Sequence, residues 1–151
     1  MSTIQFKKVL FNAFTPSYAH ANDVGMDLVC VAETKRTWGQ NDDVATIMYD
    51  TGIAVCPPDG YYTEIVARSS LSKSGWMLAN GIGIIDPSYR GTLKVVLVRV
   101  VKDAPELTLP FCSTQLVLRK LHKAKVLCVE DLPKTTRGEG AFGSTGSRTN
   151  K

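Results

Sequence analysis

The sequence predicts an all-β fold, a distorted jelly-roll barrel or sandwich with at most one short helix and a mobile glycine-rich tail. Three observations carry this. Short apolar or alternating segments recur about every ten residues. Turn-forming residues separate them, as in Asp50-Thr51-Gly52 and Pro57-Pro58-Asp59-Gly60. No long amphipathic helix appears.

Residues 4–11 alternate loosely and predict an edge strand. Residues 24–32 predict a second strand with one acid, Asp27, inside it. The polar run 33–43 reads as a loop, and 44–56 as two short strands broken at Asp50-Thr51-Gly52. A strand over 61–67 leads into small polar residues from Ser69 to Gly75, enough for one helical turn with Ser69 or Ser70 as N-cap. Further strands are expected at 76–79, 82–85, 92–101, 106–109, 114–121 and 125–130. Residues 82–85 and 92–98 flank a short polar loop, the pattern of a β-hairpin whose mouth displays Asp86, Tyr89 and Arg90 together. Taken alone, Asp86-Pro87 is a turn former, and Ile82, Ile84 and Ile85 are core.

The 151 residues suffice for one domain, taken as residues 1–133. The net charge of +4 is dispersed along the chain, which gives no nucleic-acid groove. Four widely spaced cysteines and two isolated histidines disfavour a zinc site and suit buried, reduced thiols. With no signal peptide and no apolar run of spanning length, an intracellular protein is expected, cytoplasmic or nuclear and without a membrane partner.

Composition changes after Pro133. Residues 134–151 hold four glycines and a single large apolar side chain, Phe142. Such a segment buries too little surface to offset its ordering entropy and should be mobile. Arg137 and Arg148 nevertheless bracket glycine-rich backbone with Ser144 and Thr145, chemistry that grips phosphates.

Five stretches then appear in a telling order. They are Val24-Gly25-Met26-Asp27-Leu28, Ala67-Arg68-Ser69-Ser70-Leu71-Ser72, the run 80–91, Gln115-Leu116-Val117, and Arg137-Gly138-Glu139-Gly140-Ala141-Phe142-Gly143-Ser144-Thr145-Gly146. Together they resemble the five motifs of the homotrimeric dUTP pyrophosphatases. Two departures stand out. Met26 occupies the usual tyrosine position of the first motif, and Pro110-Phe111-Cys112 replaces the usual Gly-Asp-Arg of the fourth, a thiol for a cation.

The resemblance implies hydrolysis of dUTP to dUMP and pyrophosphate by water attack at the α-phosphorus, which limits uracil incorporation into DNA and supplies dUMP for dTMP synthesis. It implies Mg²⁺, held by Asp27 through water, and Asp86 as the group that orients the attacking water and bonds the sugar 3′-OH. Arg68, Ser69 and Ser70 would bind phosphate, Gln115 would serve in catalysis and in substrate binding, and Tyr89 would lie under the deoxyribose and exclude a 2′-OH. Uracil would meet main-chain groups around Asn80, Gly83, Ile84, Ile85 and Lys94. A lid formed by residues 134–151 would stack Phe142 on the base and bring Arg137, Gly143, Ser144 and Thr145 to the phosphates. The family builds each site between subunits of a homotrimer. Two other readings stand beside it, a dCTP deaminase of the same fold and a nonenzymatic trimer kept for protein contacts. The intact Phe142 motif speaks against the first, and the presence of Asp27 and Asp86 against the second.

Overall fold

The computed structural model describes residues 2–39 and 44–141. Within them the chain forms ten strands and one 3₁₀ turn. The strands are β1 (Gln5–Lys8), β2 (Gly25–Cys30), β3 (Ala32–Trp38), β4 (Val44–Asp50), β5 (Ile53–Cys56), β6 (Tyr61–Ala67), β7 (Trp76–Leu78), β8 (Gly83–Ile85), β9 (Lys94–Arg99) and β10 (Phe111–Lys120), with the 3₁₀ turn at Ser69–Lys73. Two four-stranded sheets, ordered β2-β10-β6-β8 and β3-β4-β9-β7, enclose the core, and β1 pairs only with β5. All these pairings are antiparallel.

Alternation decides which face of each strand turns inward. From the first sheet Met26, Leu28, Cys30, Ile65 and Leu116 are buried; from the second come Ile47, Tyr49, Trp76, Leu78, Val95 and Leu97. Each such side chain is worth roughly 1.5–3 kcal/mol of burial. Trp76 also satisfies its indole N–H on the Pro105 carbonyl at 2.8 Å. Truncating Leu97, which is wholly buried, would open a cavity costing about 2–5 kcal/mol.

The all-β expectation holds, as do the edge strand near the N-terminus and the break at Thr51-Gly52, where Gly52 adopts φ +67°. Several expectations are corrected. Residues 33–38, expected as loop, belong to β3. This strand lies at the sheet edge with both faces largely exposed, so its partner β4 holds it through backbone bonds and apolar alternation is not required. Residues 106–109 are irregular: Pro105 and Pro110 flank them and lack the N–H a ladder needs. Residues 125–130 form no strand either, and Val126 and Leu127 stand 94% and 74% exposed.

The expected hairpin does not form. β8 pairs with β6, while β9 pairs with β4 and β7 in the other sheet. Residues 86–93 therefore arch from one sheet to the other. Ile82 and Ile84, expected in the core, alternate with buried Gly83 on the outward face and are 52% and 67% exposed. The helical turn is 3₁₀, and its N-cap is Arg68, with no side-chain capping bond from either serine. Of the four thiols, all free, only Cys30 is buried, and burial pushes its ionisation up; Cys56 and Cys112 are half-buried and Cys128 is exposed.

Candidate active site

Asp27 lies mid-strand on the outer face of β2, opposite Gln115 of β10. Gln115 in turn faces Val66 of β6. Its amide reaches across to donate to the Ala67 carbonyl at 3.2 Å. That reach passes over Gly25, where a Cβ would collide with the Gln115 amide. The glycine of the first motif is thus a space requirement, a role that its place in the motif did not reveal.

Arg68 leaves the end of β6 with its backbone N–H on the Ser113 carbonyl at 2.9 Å. Its guanidinium is pinned from two sides. Nε approaches Asp27 Oδ1 at 3.2 Å, and Nη1 donates to the Cys112 carbonyl at 3.2 Å and to Cys112 Sγ at 3.1 Å. The thiol that replaces the usual cation thereby becomes an acceptor for the motif-two arginine. A bulge between Phe111 and Thr114 makes this contact possible. Ser69 and Ser70 open the 3₁₀ turn directly after Arg68. Asp27, Arg68 and Gln115 thus gather on one outer face, a partly solvated cluster of one carboxylate, one guanidinium and one neutral amide, with the two serines next in the chain.

The second cluster lies on the arch. Ile84, Ile85, Asp86, Tyr89 and Lys94 line an open depression of about 210 Å³. The Tyr89 N–H returns to the Asp86 carbonyl at 3.0 Å, closing the Asp-Pro-Ser-Tyr turn. The Tyr89 ring lies over Gly91, where a Cβ would strike the phenol, and its hydroxyl donates to the Thr92 carbonyl at 3.2 Å. Asn80 sits at the entry to β8. Its side-chain amide nitrogen packs near Gly83, whose own bare Cα lies close to Ile65. The Lys94 ammonium is tied to Asp50 and Thr92. Arg90 departs from the expected trio. It turns from Asp86 to the carbonyls of Pro87 and Tyr89 and to Cys56 Sγ, where it lines a separate groove of about 680 Å³ along β1 and β5. That larger groove contains no carboxylate.

The two clusters do not meet within one chain. Asp27 and β8 are three strands apart, and Asp86 lies four residue rows along the sheet from the Asp27 row. At about 4.8 Å between strands and about 3.3 Å per residue, the carboxylates stand roughly 20 Å apart. In the tail, Arg137 Nε donates to the Gly140 carbonyl at 2.8 Å, across a turn in which Gly138 has φ +54°. Phe142, Gly143, Ser144 and Thr145 lie outside the described residues.

Comparison with known proteins decides the family. The dUTPase family model matches residues 12–146. The chain is 38% identical over 133 residues to the deoxyuridine 5′-triphosphate nucleotidohydrolase of Thermobifida fusca, covering 87% of this chain and 72% of that one. The chain belongs to the dUTPase family. The nucleotidohydrolase of the same name from Alkaliphilus metalliredigens is 34% identical and matches 97% of this chain and 99% of its own. A mutant dUTPase of Staphylococcus bacteriophage 80alpha, solved with dUpNHpp, superposes with a TM-score of 0.74. It covers 96% of this chain and 99% of its own at 22% identity, a likeness of fold.

Proposed function

We propose that this dUTPase-family chain hydrolyses dUTP to dUMP and pyrophosphate, with Mg²⁺, in a homotrimer whose sites join the two clusters across subunit boundaries. The observation that carries the reading is the convergence of Asp27, Arg68 and Gln115 from β2, β6 and β10, three separate motifs, on one outer face. The names of the relatives, deoxyuridine 5′-triphosphate nucleotidohydrolase, supply the substrate. The same reaction keeps uracil out of DNA and yields dUMP for dTMP synthesis.

In this reading the Arg68 guanidinium, oriented by Asp27 and Cys112, binds phosphate oxygens together with the hydroxyls and N–H groups of Ser69 and Ser70. The Gln115 amide, held over Gly25, adds a neutral donor. Uracil bonds to main-chain groups along 80–85 and near Lys94. Cytosine is rejected because it would leave those groups unpaired. Tyr89 underlies the sugar. Asp86 orients water for attack at the α-phosphorus and accepts its proton, as pyrophosphate leaves. Arg137, Phe142, Gly143, Ser144 and Thr145 close over the nucleotide from a third chain.

The donor set suits a hard divalent cation that keeps most of its water. Among the described residues no group of three or more potential metal ligands gathers, and Asp27 offers one carboxylate with Oδ1 already beside Arg68. Mg²⁺ is commonly held by one or two carboxylates, retained waters and substrate phosphates. When bound it would neutralise phosphate charge and polarise the reacting phosphoryl group.

The test is pyrophosphate release from dUTP, UTP, dCTP and dTTP, with and without EDTA. The expected outcome is EDTA-sensitive turnover of dUTP, with UTP and dCTP at least about tenfold less efficient. Asp86→Asn should fold and bind while losing about 10²–10⁴ in kcat. Equal turnover of dCTP, or an Asp86→Asn protein at wild-type speed, would overturn the assignment.

A further inference from the structure

Asp50 ends β4 one sheet away from the catalytic groups assigned above, yet its carboxylate is connected to the nucleoside pocket. Its side chain is only 10% exposed. Oδ1 accepts the Gly52 N–H at 2.7 Å. Oδ2 accepts the Thr92 hydroxyl at 2.9 Å and the Lys94 ammonium. Next door, Thr51 holds the Leu93 carbonyl through both its N–H (3.1 Å) and its hydroxyl (3.0 Å), and the Leu93 N–H reaches the Ile53 carbonyl at 2.8 Å. The descending limb of the arch, residues 92–94, is therefore tied to residues 50–53 at every position.

One further bond carries this order into the pocket. The Thr92 carbonyl receives the Tyr89 hydroxyl at 3.2 Å, so the ring is fixed at its far end as well as over Gly91. Removing the carboxylate would leave the Thr92 hydroxyl and the Lys94 ammonium bonded only to each other, and the peptide that anchors Tyr89 would lose its side-chain tie to β4. A ring that shifts by even about 1 Å no longer excludes one extra oxygen, because placement at that scale governs such discrimination.

We propose that Asp50 is a positioning residue for sugar selection, setting the Tyr89 ring through Thr92. The inference rests on the dUTPase reading, with Tyr89 beneath the deoxyribose. Asp50 touches neither substrate nor the reacting atoms. Its effect is on the ratio of dUTP to UTP turnover and not on the chemical step.

The experiment measures kcat and KM for dUTP and UTP in the full-length protein carrying Asp50→Asn, Thr92→Val, Tyr89→Phe, or Thr92→Val with Tyr89→Phe. Thr92→Val keeps the Asp50–Lys94 pair and serves if Asp50→Asn folds poorly. The expected result is a fall of about tenfold in the dUTP/UTP ratio of kcat/KM for Thr92→Val and for Asp50→Asn. Most of it should appear in KM, with kcat on dUTP nearly kept. In the Tyr89→Phe background the hydroxyl link is already gone, so Thr92→Val should add almost nothing, a non-additivity that marks coupling through that bond. Unchanged selectivity in a folded Thr92→Val protein, or full additivity of the two changes, overturns the proposal while leaving dUTP hydrolysis intact. Wild-type protein inactive on dUTP would overturn the functional reading itself.

Discussion

Mixing two inactive variants distinguishes a shared site from a single-chain site. Asp27→Asn removes the carboxylate of the outer-face cluster, and Asp86→Asn that of the arch; both side chains reach solvent, so both proteins should fold. A group acting on the attacking water must lie within about 3 Å of it or one water away. The roughly 20 Å between the two carboxylates, from strand spacing and residue rise, excludes their joint service to one nucleotide from one chain. In a closed cyclic assembly the contact is heterologous, so one subunit gives Asp27 and its neighbour gives Asp86. After co-refolding at equal concentration, a given site receives an intact Asp27 with probability one half and an intact Asp86 with probability one half. About one quarter of the sites are then complete, far above the residual of about 1% or less expected of either variant alone. The assay is pyrophosphate release from dUTP, with native mass spectrometry of differently tagged chains to verify mixed assemblies. Mixed assemblies with no recovered activity would refute the shared site, as would a fully active monomer by light scattering.

Other expected outcomes concern the core, the acid limit and the tail. Thr63 is wholly buried with no partner for its hydroxyl, so Thr63→Val should stabilise by about 1 kcal/mol, or about 3 °C in melting temperature by calorimetry. A loss of stability would mean that the hydroxyl is satisfied after all. At Asp50, burial alone would raise the carboxyl, yet hydrogen bonds from Lys94, Gly52 and Thr92 hold it below its ordinary 3.8. The unfolded chain therefore binds the proton more readily, and this stabilisation is present above that value and lost as pH falls through the folded value. Asp50→Asn should cost about 2 kcal/mol at neutral pH and show a shallower decline of melting temperature below about pH 4. A parallel pH profile would deny Asp50 that part. Phe142→Ala should lose most dUTP turnover and Phe142→Trp should keep much of it, since the larger ring still stacks. Equal rates in both would remove the stacking role.

Much of the fold could be read from alternation and turn chemistry. Leu28, Ile65, Leu97 and Leu116 face inward where period two places them, and Thr51-Gly52 breaks the chain as its residues suggest. Pairing partners were less legible. A strand such as Gly83–Ile85 carries no local mark of which edge it will join, so a polar loop between two strands looked like a hairpin although the strands entered different sheets. β3 was missed because an exposed edge strand needs no apolar face, and 125–130 was misread because β-rich composition alone creates no neighbour to pair with. At the candidate site, the motifs pointed to Asp27, Arg68 and Asp86, and the structure sets the first two side by side and the third on the arch. The acceptor role of Cys112 toward Arg68 depends on a bulge, which no spacing announces.

That bulge has an evolutionary reading. Beyond it, Gln115, Leu116 and Val117 keep strict register with both neighbouring strands, so an inserted or deleted residue there would flip side chains from one face to the other. Before it, the extra residue absorbs phase, and Pro110-Phe111-Cys112 can drift while the downstream register stays locked. A family can rewrite the first half of such a segment and retain the second, as this chain does. Deleting one residue between Phe111 and Thr114 would end that freedom. Phe111, which packs edge-on against Tyr49 at 4.8 Å, would keep its place opposite Cys30, but no spare residue would remain, and the next change of length upstream would turn it out of the core.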